Sequence, residues 1–118
     1  MLIKALKAKI HRATVTKTKV DYPGSIAVDA ELLAAAKISS YEAVLLANIT
    51  NGSRAETYVI EAPLGSGDVT ILGAAAKMFS SGDLVIILNF AFYTPEEIKG
   101  HKPKVVIADE KNKIKQIL

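Results

Sequence analysis

The sequence predicts a mainly β protein, a small barrel or sandwich with a few short helices. Glycine and proline, which account for 7 and 4 of the 118 residues, interrupt the chain often, so the segments between them are short. Several of these segments are rich in Val, Ile and Thr, a composition typical of strands. They do not alternate with long helical segments. This argues against a Rossmann-type sheet and favours a barrel of about seven strands.

The first half of the chain is predicted to form three strands and one helix. Residues 2–17 are extended, and DYPGS at 21–25 breaks the chain as a turn. The short strand SIAVD ends at Asp29, which is placed to cap a helix over AELLAAAK, where the leucines recur at helical spacing. EAVLLANIT at 42–50 is the next strand.

The second half begins with the clearest turn signal of the sequence, Asn-Gly at 51–52, which predicts a hairpin with RAETYVIEA at 54–62 as the returning strand. VTIL is a strand, and 73–83 is a small-residue turn with one helical turn. DLVIILNFAF is predicted to be a long strand buried on both faces, followed by a short helix from Pro95. KVVIAD at 104–109 is predicted to be the last strand, with a polar tail after it.

Length and composition predict one domain over residues 1–118, with a globular core. The absence of cysteine excludes a disulfide scaffold and a Cys nucleophile, and it is consistent with a cytoplasmic protein. The two histidines are far apart, so no metal site is predicted. No apolar run reaches the roughly 18–20 residues of a membrane span, and no signal peptide is recognised. The net charge of +3 argues only weakly for an anionic partner.

A few polar residues share strand faces. Lys9 and His11 are two residues apart, and Arg54 and Tyr58 are four apart, whereas Thr57 points to the opposite side of its strand. Each of these residues alone is more typical of a structural role. No Ser/His/Asp order, P-loop, GxGxxG or HExxH motif is present, so spacing alone leaves a β-rich domain of unknown role.

YPGS at 22–25 would, in isolation, be an ordinary Pro-Gly turn. In its context it resembles the self-cleavage site of the pyruvoyl-dependent aspartate 1-decarboxylases. Four further segments resemble that family in the same order and spacing, over nearly the whole chain. They are KIHRATVT at 9–16, NGSRAETY at 51–58, GAAA at 73–76 and GDLVII at 82–87. On these motifs the chain is identified as a member of that family.

The resemblance implies a double-psi β-barrel and a homotetramer with active sites between neighbouring subunits. It implies cleavage between Gly24 and Ser25, giving chains 1–24 and 25–118, with a pyruvoyl cofactor derived from Ser25. The implied activity converts L-aspartate to β-alanine and carbon dioxide, for pantothenate and coenzyme A biosynthesis. The sequence leaves open whether an accessory protein triggers maturation and whether glutamate is a slow substrate.

The chemistry of Ser25 agrees with this implication. A decarboxylase needs an electron sink for the carbanion left by carbon dioxide, and a ketone at a chain terminus can condense with the substrate amine to provide one. The Ser25 hydroxyl can attack the Gly24 carbonyl to form an ester. Elimination then leaves dehydroalanine, which hydrolyses to a pyruvoyl group and ammonia. Gly24 has no Cβ atom to block the attack, and it tolerates strained backbone.

The resemblance also implies roles for other residues. Thr57 assists processing, and Tyr58 donates a proton to the carbanion. Arg54 is suited to a bidentate grip on a carboxylate, and Lys9 supplies a second positive charge for a dianionic substrate. The remaining pocket residues implied by the resemblance are His11, Tyr22, Gly73, Ala74 and Ala75.

Two positions depart from the family pattern. Family members usually carry Asn immediately before GAAA, where this chain has Leu72, and they frequently carry an aromatic residue at the position of Ala47. Leucine cannot donate the hydrogen bond that an asparagine amide donates. One alternative to an active decarboxylase is therefore a family member that folds but never matures. The other is a basic β-barrel that binds nucleic acid. Only 6% of the residues are aromatic, with no cluster for base stacking, and this argues against it.

Overall fold

The computed structural model describes residues 1–118 and confirms a mainly β fold, with nine strands instead of the predicted seven. Neither of its two short α-helices is long and apolar enough to cross a membrane. The strands are β1 (Ile3–Thr14), β2 (Lys17–Lys19), β3 (Ile26–Asp29), β4 (Ala43–Asn48), β5 (Arg54–Ala62), β6 (Val69–Leu72), β7 (Leu84–Tyr93), β8 (Lys104–Ala108) and β9 (Ile114–Ile117). The helices are α1 (Ala30–Ala36), α2 (Pro95–Ile98) and a 3₁₀-helix (Ala74–Met78).

The strands join in the order β2-β6-β3-β5-β4-β7-β1-β8-β9. The predicted hairpin at Asn51-Gly52 is confirmed, because β4 and β5 pair antiparallel with Ala47 opposite Arg54. Strand β3 lies between β5, to which it is parallel, and β6, to which it is antiparallel. Ser25 immediately precedes β3, so the Gly24–Ser25 step lies at the start of the middle strand of these three.

One side of the sheet covers the hydrophobic core, and α1 packs its buried residues against it. Asp29 caps α1 as predicted, since its carboxylate accepts a hydrogen bond from Glu31 N at 2.9 Å. The same carboxylate accepts from Gly65 N at 2.9 Å and Gly67 N at 2.8 Å. Asp29 therefore ties the end of β3 to the 63–68 loop. The largest fully buried side chains include those of Ile10, Ile26, Leu46, Ile71 and Ile87.

Strand β7 is not buried on both faces, so that prediction is wrong. Val85 and Ile87 are fully buried, but the strand alternates, and Phe90 and Phe92 are 36% and 65% exposed. On the second face at this end, Lys4 Nζ lies 5.3 Å from the Phe90 ring centroid, but both phenylalanines stay in contact with solvent. The end of the long apolar run therefore lies on a surface that stays exposed in a single chain.

The chain does not end in a polar tail after β8, and that prediction is also wrong. Residues 114–117 form β9, which pairs antiparallel with β8. The turn depends on Asn112, which adopts a left-handed φ of 59° and is only 2% exposed. Its side-chain amide donates to Thr14 O and Gly67 O, both at 2.8 Å. These partners are distant in sequence, so no local pattern indicates the turn. The lysine-rich composition of the segment by itself predicts a polar tail.

Candidate active site

The Gly24–Ser25 step is strained and enclosed. Ser25 is 2% exposed and has a φ of 90°, while Gly24 has a φ of 139°. A positive φ at a residue with a side chain costs about 1–3 kcal/mol, and such strain persists only where the surrounding structure holds it. Here the neighbouring strand does so, because Leu72 N donates to Ser25 O at 2.9 Å. A buried hydroxyl thus lies next to a strained peptide bond.

Gly73 holds the other side of this loop. Its N–H donates to Lys19 O at 2.7 Å, and its φ is 85°. A Cβ atom built on it would lie 2.7 Å from Gly24 Cα and 3.0 Å from Tyr22 O, closer than real Cβ contacts. Only glycine fits this position. Of the following alanines, Ala74 is exposed and Ala75 is half-buried at the start of the 3₁₀-helix.

Strand β5 brings Thr57 and Tyr58 to the same region. Val59 pairs with Ile26, so Tyr58 and Ser25 are the residues that immediately precede this pair on the two parallel strands. Tyr58 is 39% exposed, and Thr57 lies half-buried on the opposite face, as its spacing predicted. The side chains of Ser25, Thr57 and Tyr58 take part in none of the hydrogen bonds within the chain. All three are therefore free to bind a reacting group.

The predicted carboxylate-binding cations lie on two strands. Arg54 is exposed on β5, and Lys9 is half-buried on β1. Neither takes part in an ion pair; the two ion pairs of the chain join Lys7 to Glu42 and Lys99 to Glu96. Strands β4 and β7 lie between β5 and β1, so three interstrand spacings of about 4.8 Å separate the two sets by about 14 Å along the sheet. Sheet pairing within one chain does not place them side by side.

His11 lies beside Lys9, on a strand that is irregular at this point. The pairing register of β1 shifts between Ile10 and Ala13, and Arg12 has a φ of 64°. His11 Nδ1 is buried and has no hydrogen-bond partner within the chain. Burial lowers the pKa of His11 below its ordinary 6.5, and the positive charges of Lys9 and Arg12 lower it further. The imidazole is therefore neutral at pH 7, with an unsatisfied ring nitrogen.

The prediction from spacing missed one residue of this region, Tyr41. Its ring is 77% exposed and its centroid is 6.5 Å from that of Tyr58, at an interplanar angle of 37°. The contact arises because Ala43 pairs with Tyr58, which brings the segment before β4 alongside the same ring. No local signal marks Tyr41, since the proximity depends on the β4–β5 register.

Fold and site together define a small mainly β protein whose candidate active site is built on a strained Gly–Ser step. The aspartate decarboxylase family matches this chain over residues 1–115. The chain is similar to the aspartate 1-decarboxylase of Caldicellulosiruptor saccharolyticus, with 52% identity over 114 residues, covering 97% of this chain and 89% of that protein. It is also similar to those of Lactiplantibacillus plantarum (50%, covering 97% and 88%) and Ralstonia pickettii (48%, covering 95% and 93%). The chain belongs to the aspartate decarboxylase family, as its motifs predicted.

Proposed function

We propose that this protein removes the α-carboxylate of L-aspartate as carbon dioxide and releases β-alanine, using a pyruvoyl group that it makes from its own Ser25. The observation that carries the proposal is the buried, strained Gly24–Ser25 step in a chain of the aspartate decarboxylase family. The relatives reported above are named for the same reaction.

Self-processing follows from the chemistry of the two residues. Ser25 Oγ attacks the Gly24 carbonyl carbon, the Gly24–Ser25 C–N bond breaks, and an ester replaces the amide. Loss of the Ser25 Cα proton with cleavage of the Cβ–O bond releases the Gly24 carboxylate and leaves dehydroalanine. Water then displaces ammonia. The strained φ values favour the first step because the product is no longer held in that conformation. The hydrogen bond from Leu72 N to Ser25 O keeps the serine in place.

A pyruvoyl group at residue 25 supplies the electron sink for decarboxylation, and the surrounding residues do the rest. Arg54 binds one substrate carboxylate as a bidentate partner, and Lys9 supplies charge for the other. Neither cation has an acidic partner within the chain that would have to be displaced. Tyr58, the residue before the Val59–Ile26 pair, carries a phenolic proton and donates it to the substrate carbon after carbon dioxide leaves.

Neutral His11, together with Tyr22, completes the wall of the proposed pocket. Tyr22 is 51% exposed, and its carbonyl oxygen lies against Gly73. Gly73, Ala74 and Ala75 leave room for the substrate because they carry little or no side chain.

A homotetramer with sites between subunits is part of this proposal. The separation of about 14 Å along the sheet between β1 and β5 supports it, since Lys9 could then act on the site of a neighbouring copy. The outer face of the sheet supports it as well. An open groove of about 460 Å³ there is lined mainly by apolar side chains, among them Leu45, Phe90 and Phe92, together with Lys4 and Glu56. Such a face is typical of a surface that a second copy covers.

Intact-mass spectrometry under denaturing conditions tests the proposal. We expect chains 1–24 and 25–118, the larger one lighter by one ammonia than a serine-started peptide. The control is Ser25→Ala, which removes the nucleophile and should give a folded, single, inactive chain. Release of carbon dioxide from aspartate by the Ser25→Ala variant would contradict the proposal that the cofactor is made from Ser25. The same release by unmutated protein that stays wholly intact would contradict it too. If the unmutated protein neither cleaves nor releases carbon dioxide, the chain is the alternative raised by Leu72, a family member that folds but never matures.

A further inference from the structure

Tyr41 adopts a backbone conformation that its residue type rarely takes. Its φ is 74°, in the left-handed region, where an aromatic L-residue is disfavoured. The ring is 77% exposed, so burial of apolar surface within the chain does not offset this cost. Lys37, with a φ of 57°, is different because it serves as the C-cap of α1. Tyr41 is the third residue of the turn from Ser39 to Glu42, in which Glu42 N donates to Ser39 O at 3.2 Å; this turn accounts for the positive φ but does not call for an aromatic side chain.

The backbone around Tyr41 is held from both sides. Tyr41 N donates to Val59 O at 2.8 Å, and Val59 N donates to Glu42 O at 3.1 Å. The Glu42 carboxylate accepts from Lys7 Nζ at 2.8 and 3.0 Å and from Ser39 N at 2.6 Å. The two backbone bonds attach the segment to β5 at Val59, the residue that follows Tyr58, and the Glu42 carboxylate ties it to Lys7 on β1.

The held segment presents its ring to Tyr58. The two ring centroids are 6.5 Å apart with a tilt of 37°, within the range of favourable aromatic pairs. Tyr58 has no hydrogen bond that would otherwise restrain its ring. Tyr41 is the aromatic partner of the Tyr58 ring in this chain.

We propose that Tyr41 is a positioning residue, which restrains the ring of Tyr58 so that its phenolic oxygen stays where the substrate carbon is protonated. This inference rests on the proposed function, in which Tyr58 is the proton donor. A donor must lie within hydrogen-bonding reach of its target, and a displacement of about 1 Å can lower the rate up to about 10²-fold. Glycine or asparagine would fit this turn position with less strain, and the contact with Tyr58 accounts for an aromatic residue there.

Tyr41→Gly, Tyr41→Phe and the control Lys37→Gly test the inference on the mature enzyme. Each glycine variant replaces a non-glycine residue of positive φ by glycine, which adopts this conformation without strain. Neither variant should therefore lower the thermal midpoint of unfolding. Only Tyr41→Gly should lower kcat, by about tenfold, with KM close to that of the parent. Tyr41→Phe keeps the ring and should keep kcat.

Nitration by tetranitromethane, mapped by peptide mass spectrometry, provides a readout independent of activity. Removal of the ring at 41 should speed nitration of Tyr58 but not of Tyr22, which serves as the internal reference. Parent-like kcat in Tyr41→Gly, or an unchanged nitration rate at Tyr58, would overturn the inference. A parent-like kcat in Tyr58→Phe would instead remove the proposed role of Tyr58, so the two failures are distinguishable.

Discussion

Gly73 and Gly24 pack backbone against backbone, so closely that a Cβ atom on Gly73 would lie 2.7 Å from Gly24 Cα and 2.9 Å from Gly24 N. The contact joins two distant motifs of the sequence, YPGS and GAAA. With the hydrogen bonds from Leu72 N to Ser25 O and from Gly73 N to Lys19 O, it holds the loop before β3 at both ends. We therefore propose that Gly73 takes part in self-processing as well as in forming the substrate pocket.

Gly73→Ala should strongly slow self-cleavage, because the new methyl group must push the Gly24 backbone away from its strained position. Gly52→Ala is the matched control, since Gly52 has a similar φ of 80° but nothing within 4 Å of a Cβ atom. The fraction cleaved over time, measured on denaturing gels, should fall well below the control only for Gly73→Ala. Equal cleavage in the two variants would show that the close contact has no part in processing.

Leu72→Asn should speed self-cleavage. Leu72 is 6% exposed, and its backbone holds Ser25, but its side chain offers no donor. A hydrogen bond to a developing charge can change a rate by about 10²–10³-fold. The measurement is the cleavage rate of freshly purified precursor. Leu72→Ala is the control, since it changes the size of the side chain without adding an amide. No acceleration in Leu72→Asn would mean that another donor acts at this site.

Arg54→Ala and Tyr58→Phe should fail in different ways. Arg54 is proposed to hold a carboxylate throughout, so its loss should mainly weaken capture of aspartate and lower kcat/KM. Tyr58 is proposed to act after carbon dioxide leaves, so Tyr58→Phe should lower kcat and leave binding nearly intact. Both variants should still cleave at Gly24. Steady-state kinetics on fully cleaved protein separate the two. A parent-like kcat for Tyr58→Phe would require a different proton donor.

Thr57→Val should show the converse defect. Thr57 lies on the other face of β5 from Tyr58, and its hydroxyl has no partner within the chain. Its proposed role is to assist the rearrangement at Ser25, so slow cleavage should be the primary loss. Once cleaved, the protein should turn over aspartate at close to the parent rate. Normal cleavage in this variant would reassign the assisting group.

Asp29 should make folding stability sensitive to acid. Burial raises the pKa of this carboxyl, but the N–H groups of Glu31, Gly67 and Gly65 outweigh burial, and the net pKa lies below the ordinary 3.8. The unfolded chain therefore binds this proton more readily than the folded one. The stabilisation is present above pH 3.8 and is lost as the pH falls through the lower pKa of the folded state.

Asp29→Asn provides the comparison. At pH 7 it should cost about 2–4 kcal/mol, because an amide with one oxygen cannot serve all three donors. Its thermal midpoint should then fall less steeply than that of the parent as the solution is acidified below pH 3.8. Parallel pH curves for the two proteins would show that Asp29 does not titrate in this range.

Features that depend on residues close together in the sequence, such as turns and helix caps, were predictable from the sequence. Asn51-Gly52 lies in the loop of the β4–β5 hairpin, where Gly52 takes a φ of 80°, and Asp29 caps α1 through Glu31, two positions away. The motif around Gly24 and Ser25, with its companions along the chain, identified the family that the comparisons then confirmed. Here the chemistry depends on residue types at fixed spacing, which a sequence displays directly.

Contacts between distant segments were decided only by the tertiary structure. Strand β9 has a polar sequence, yet it forms because Asn112 holds the turn before it, through partners 45 and 98 residues away. The strain at Ser25 depends on its hydrogen bond from Leu72 on the neighbouring strand β6. The pairing of Tyr41 with Tyr58 depends on the register of β4 against β5, and both are properties of the assembled sheet. A sequence sets which strands can form. Which side chains meet across them is determined when the hydrogen bonds of the sheet select one register and the buried face excludes the others.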